Sequence, residues 1–210
     1  MLAALAVVAC GGGDADGDSK RKFLGATELC EGAFSVEGAV ALRVVTGAEL
    51  FYPSPEGEGV SAVATDLEHD FLRREPSSPE HTLCSVYRKG GNDFTDARLR
   101  FSLAGKYELD NSDLASSQHP YAMGKLATAG VKRSYLYFEC VSPRLPGSAE
   151  SPALIGGEIS DRHPPDKDSR PLWEASLTTL HSAALALAKE LGCARDGGLP
   201  PKATLVPVSR

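Results

Sequence analysis

Four of the five cysteines in this 210-residue chain are spread along it as Cys30, Cys84, Cys140 and Cys193. No two stand in Cys-x-x-Cys spacing and no histidine pair accompanies them at zinc-finger spacing, so a zinc site is not indicated. In an oxidising compartment an even set of this kind makes two disulfides; in a reducing one it remains four buried thiols. Other chemistry-bearing constellations are missing. The sequence holds no Gly-x-Ser-x-Gly elbow, no His-Glu-x-x-His, no Walker phosphate loop and no dinucleotide fingerprint. Its one Ser-x-x-Lys, Ser19 to Lys22, sits in a polar stretch that nothing could preorganise. His69, His81, His119, His163 and His181 never fall at ligand spacing on one element. Glu68-His69-Asp70 gathers three titratable residues, but adjacent helix positions do not face each other, which predicts a solvated face. Asp161-Arg162-His163 opens a Pro-rich charged connector. No catalytic, cofactor or metal residue is assigned.

Cys10 is different. Val7-Val8-Ala9-Cys10 ends an apolar run and has the pattern of a bacterial lipobox, in which a small residue gives a peptidase access and the following thiol takes a diacylglyceryl group. The apolar run is shorter than a complete signal peptide and lacks a positive n-region, and it is too short to cross a bilayer. The translation start is therefore expected upstream. Behind Cys10, three glycines and Asp14, Asp16 and Asp18 can bury nothing, which predicts a solvated tether with a reach of roughly 20 Å. The alternating aspartates do not make an EF-hand, because loop positions 6 and 12 would be Ser19 and Gly25. The expected organisation is a lipobox at 1–10, a tether at 11–25 and one domain at 26–210.

The elements that would carry any site follow from periodicity. A helical segment is expected over 26–46, with Ser35 as an N-cap, Val36, Val40 and Val44 as its apolar stripe and Gly47 as its stop. A second helix should run over 61–74, carrying Val63, Leu67 and Phe71. The period then changes from 3.6 to 2, and strands are expected at 82–88, 97–104, 121–128, 134–141 and 153–160. Alternation of Leu99, Phe101 and Leu103 against Arg98 and Arg100 marks an antiparallel sheet with two unlike faces. Residues 171–191 form the long closing helix, with Trp173, Leu177, Leu180, Ala184, Leu187 and Leu191 on one stripe and His181 at its border. The fold class is α+β: about five antiparallel strands, the C-terminal helix across one face, and two N-terminal helices.

Three disulfide pairings are possible on paper. Cys140 belongs to the apolar face and Cys193 follows the helix that should cover it, which favours Cys140–Cys193 and leaves Cys30–Cys84. The second face gathers Tyr87, Arg98, Arg100, Tyr135 and Tyr137, a composition suited to recognition. Either the two N-terminal helices dock on it, which the need to bury their apolar stripes favours, or it stays open as a binding face.

A net charge of −6 and a pI near 5.4 argue against nucleic acid as a partner. The lipobox with its Gly/Asp tether, Leu29-Cys30-Glu31-Gly32, Tyr137-Phe138-Glu139-Cys140 and Lys189-Glu190-Leu191-Gly192-Cys193 together resemble a group of secreted actinobacterial lipoproteins. The resemblance implies a surface-anchored domain of unknown function with two disulfides, and brings no catalytic residues with it. The function expected is a binding or interaction module at the cell envelope, held to the membrane by lipid on Cys10, with a protein or small-molecule ligand. The alternative is an extracytoplasmic hydrolase or metal-dependent enzyme whose Asp, Glu and His converge only in space.

Overall fold

The computed structural model describes residues 22–74, 77–91, 94–110, 114–162 and 169–208. Cys10, the tether up to residue 21, His163 and most of the Pro-rich connector lie outside them. Among the described residues three α-helices and six strands follow one another as α1 (Val36–Thr46), α2 (Val60–Arg73), β1 (His81–Val86), β2 (Ala97–Leu103), β3 (His119–Tyr121), β4 (Leu126–Ala129), β5 (Arg133–Cys140), β6 (Ala153–Asp161) and α3 (Arg170–Glu190). The strands form one antiparallel sheet in the order β1-β2-β6-β5-β4-β3.

Local signals place α1. The Ser35 hydroxyl accepts from Gly38 N at 3.1 Å, and Gly47, at φ 64°, closes the helix in the left-handed region. The expected extension back to residue 26 is instead a pair of 3₁₀ turns, Ala26–Glu28 and Cys30–Gly32. Nor does the valine stripe face inward. Val36 is 72% exposed, with Val40 and Val44 about half exposed, while Ala41, Leu42 and Val45 are buried. The reason is close helix-to-helix approach: a Cβ at Gly38 would collide with Ser182 of α3, so α1 turns its small residues toward its neighbour. Ser182 Oγ reinforces that contact by accepting from Ser35 N at 2.7 Å.

The sheet holds six strands rather than five because the segment expected over 121–128 folds back on itself. Gly124 takes φ 60° where a Cβ would strike the Tyr137 carbonyl, so the chain turns there and leaves β3 and β4 as a hairpin. Helix α3 crosses one face with Leu177, Leu180, Ala184, Leu187 and Leu191 fully buried against Leu99, Phe101, Leu136, Phe138 and Ile155. Trp173 is half-buried at the edge of this core and stacks on His119, ring centroids 3.5 Å apart. His181 is buried and its Nε2 lies 3.0 Å from the Pro200 carbonyl; burial lowers its pKa, partly offset by that hydrogen bond. No helix among the described residues is long and apolar enough to cross a membrane.

Both disulfides pair as the sheet geometry suggested. Cys30–Cys84 joins the 3₁₀ turns to β1, and Cys140–Cys193 joins the end of β5 to the residue that follows α3. Each closes a loop of more than fifty residues, a restriction of the unfolded chain on the order of 4 kcal/mol. Around the first bridge the chain is left-handed at Cys30, Glu31 and Gly32. This conformation delivers the Glu31 carboxylate to the start of α2, where it accepts from Ser61 N at 3.0 Å and occupies the space that a side chain at Gly59 would need.

Both outermost strands are partly covered. Beyond β1, Tyr52 N donates to Tyr87 O, Lys89 N donates to Leu50 O, and the Glu58 carboxylate accepts from both Ser85 N and Ser85 Oγ. At β3, Ala122 N donates to Val206 O and Val208 N to Pro120 O.

Candidate binding face

Register decides which side chains meet on the second face. Three rows run across the strands: Ser85, Arg98, Ser160 and Arg133; then Thr82, Arg100, Glu158 and Tyr135; then Ser102, Gly156 and Tyr137. All three α-helices lie on the opposite side, α3 against β4, β5 and β6, α2 against β1 and β2, and α1 against α3. The expectation that α1 and α2 dock on the Tyr/Arg face is therefore corrected. Their apolar residues join the same core as α3, so one layer of helices serves one face of the sheet.

Among the described residues no α-helix packs on the second face, and the centre of this uncovered face is an ion-pair network. Glu158, only 7% exposed, accepts from Arg100 Nη2 at 2.6 Å and lies 3.7 Å from Arg133 Nη1. Arg100 also pairs with Glu80, which precedes β1. Its Nε is buried without a hydrogen-bond partner among the described residues. The hydrogen bond from Arg133 to Tyr135, together with the Glu158 carboxylate, raises the Arg133 pKa. The Tyr137 ring lies across Gly156, where a Cβ would stand 2.8 Å from its Cε1. Its hydroxyl donates to Glu108 Oε2 at 3.1 Å, from the short 3₁₀ turn Lys106–Leu109. Burial, followed by the Glu108 charge, drives the Tyr137 pKa well up, so the phenol remains a donor.

Of the five residues picked out by alternation, Arg98, Arg100, Tyr135 and Tyr137 share these rows. Tyr87 stands one residue beyond β1, half-buried, its carbonyl committed to the edge contact with Tyr52. Sequence reasoning missed Glu158, Arg133, Glu80 and Glu108. Alternation along β6 could have placed Glu158 on this face, but its neighbours depend on inter-strand register.

A second titratable cluster contradicts the solvated reading of Glu68-His69-Asp70. His69 is exposed, but Glu68 pairs with Arg144 and Asp70 is buried. Asp70 Oδ2 lies 2.6 Å from His81 Nε2, while His81 Nδ1 faces Asp66 at 3.3 Å. Burial of Asp70 acts to raise its pKa, but hydrogen bonds from His81 and Ser78 and the charges of His81 and Arg73 outweigh it, and the net shift is downward. With a carboxylate at each ring nitrogen, His81 has none left to activate a nucleophile. The cluster fastens α2 to β1.

No family model, curated protein or solved structure matches the chain. The likeness to actinobacterial lipoproteins thus rests on its short motifs, and the structure meets its coarse implication of a domain with two disulfides.

Proposed function

We propose that this protein is a lipid-anchored extracytoplasmic binding module that holds a polar ligand of the cell envelope on its uncovered sheet face. The observation that carries this reading is the uncovered face itself. It presents tyrosine rings and guanidinium groups on rigid strands, and the buried Arg100 Nε has no acceptor among the described residues. Two disulfides are compatible with maturation outside the reducing cytoplasm, and Cys10 supplies the anchor.

Two measurements test it. Mass spectrometry of the native product should find diacylglyceryl on Cys10 as the first residue, and Cys10→Ala should release the protein into the medium. An unmodified, fully reduced chain in the cytosol refutes the anchor. For the face, a photo-reactive phenylalanine analogue at Tyr135 in living cells should give a discrete adduct that the same probe at Val36, on exposed α1 surface, does not. Equal labelling at both positions, or none at Tyr135, counts against the face as the binding surface.

A further inference from the structure

One end of the sheet is strongly basic although the chain as a whole is acidic. The end of β1, the start of β2, the end of β6 and the start of β5 meet there through the pairs Val86–Ala97, Ala97–Asp161 and Ser160–Arg133. Around them lies a hollow lined by Arg98, Lys132, Arg133 and Arg162, all exposed, and by Asp96 and Asp161. Asp96 is neutralised at short range, its carboxylate 3.0 Å from Arg88 Nε. Glu158 is held by Arg100 at 2.6 Å and, of the cations lining the hollow, approaches Arg133 at 3.7 Å. Lys89 continues the positive surface, its ammonium 4.5 Å from the centre of the Phe23 ring. Phe94, 53% exposed, projects from the same end beneath the Arg162 guanidinium, 4.6 Å from its ring centre.

The described chain begins at this same end. Leu24 pairs with Phe51 and Phe51 with Arg88, so Lys22 enters beside Lys89 and the end of β1. The sequence runs into it as Lys20-Arg21-Lys22, and Lys22 lies twelve residues after Cys10. A chain of that many residues spans at most about 40 Å. The tether therefore joins the domain at this end and not at the Cys140–Cys193 end, which favours this end as the one turned to the leaflet.

We infer that the basic end formed by Lys22, Lys89, Arg98, Lys132, Arg133 and Arg162, with Phe94 among them, docks on the phosphate headgroups of an anionic phospholipid leaflet. The inference builds on the lipid-anchor reading and adds an orientation: the molecule stands on its tether end, with the uncovered face upright beside the membrane and accessible from the side. Exposed cations near such a surface act nearly independently, each worth roughly a fivefold gain in partitioning, and the attraction is screened by salt.

The test uses the full, non-acylated chain, so that the patch can fail or succeed regardless of whether Cys10 is lipidated in cells. Sedimentation with vesicles of phosphatidylglycerol and phosphatidylcholine should show binding that grows with the anionic fraction and falls steeply between 0.1 and 0.5 M salt. Replacing Lys132, Arg133 and Arg162 together with serine should lower partitioning roughly 100-fold, with a thermal melt and intact disulfides confirming the fold. Serine at Lys106, Lys189 and Arg195, exposed cations toward the opposite end, should leave it unchanged. Equal loss in the two triple variants, or no preference for anionic vesicles, overturns the proposal. So does equally tight binding to a soluble glycerol-phosphate polymer that is indifferent to Phe94→Ala, which would assign the patch to a polymer rather than to a membrane.

Discussion

Two adjacent glycines in β6 let the uncovered face be tested against the covered one by adding a single methyl group. A Cβ at Gly157 would lie 2.5 Å from Phe101 Cε1 and 3.2 Å from Leu180 Cδ1. Both side chains are fully buried between sheet and α3, with nowhere to move. Overpacking of this kind costs about 1–3 kcal/mol. The loss of unfolded-chain freedom on going from glycine to alanine returns about 0.4–1 kcal/mol, so Gly157→Ala should destabilise by up to about 2.6 kcal/mol and lower Tm by up to roughly 10 °C. Gly156→Ala meets Tyr137 Cε1 at 2.8 Å on the other side of the same strand. No α-helix among the described residues packs on that ring, so it can swing toward solvent, forfeiting the Glu108 hydrogen bond at about 1 kcal/mol. The same entropic return nearly cancels that loss. Differential scanning calorimetry should therefore separate the two variants. A tyrosine absorbance titration should show one phenol in Gly156→Ala returning toward the ordinary tyrosine pKa, since burial and Glu108 are what raise it. If Gly156→Ala is as destabilised as Gly157→Ala and its tyrosine titration is unchanged, the face is packed, and the reading of it as a free recognition surface is wrong.

Stability should fall in two acid steps. His181 has its folded pKa depressed by burial, so the unfolded chain binds the proton more tightly; stability is full above the unfolded value near 6.5 and declines as pH drops below it. His181→Gln should flatten chemical-denaturation free energies between pH 7 and 5. Asp70, also depressed, stabilises above its unfolded value of about 3.9 and loses that contribution as pH falls through its lower folded value; Asp70→Asn should abolish this second step and lower stability at pH 7. Separately, Glu31→Ala should cost about 1 kcal/mol by removing the acceptor at the start of α2, read as a shift in urea midpoint with unchanged slope.

Residues whose role is set by their immediate neighbours were legible. Ser35 and Gly47 declared the ends of α1, and the leucine stripe of α3 declared its buried side, because capping and amphipathic spacing are local physics. The alternation in β2 and β5 sorted residues onto two faces correctly. It could not say which face the N-terminal helices would choose, and the valines expected to line α1 point outward, whereas Val63 and Leu67 of α2 are buried as expected. In α1 the deciding contact is Gly38 against Ser182, 144 positions away in the chain, and closeness of approach outweighed side-chain size. The β3–β4 turn escaped notice because Gly124 is required by the Tyr137 carbonyl across the sheet, a constraint that its flanking residues do not advertise. Asp70 looked solvated for the same reason: its partner, His81, lies on another element. The candidate face was half legible, its arginines and tyrosines readable strand by strand, its carboxylates only once register was fixed.

The covering of both outer strands has a consequence for how copies of the molecule coexist. An unpaired strand is a template on which a second chain can lengthen the sheet. Here the Glu58 carboxylate and the backbone near Leu50 and Tyr52 occupy one margin, and the segment around Val206 and Val208 occupies the other. Neither occupant is a full strand that could itself offer a fresh row of donors. A second copy pairing at either margin would have to displace these groups, and removing Glu58 would free Ser85 N as a donor from which such pairing could start.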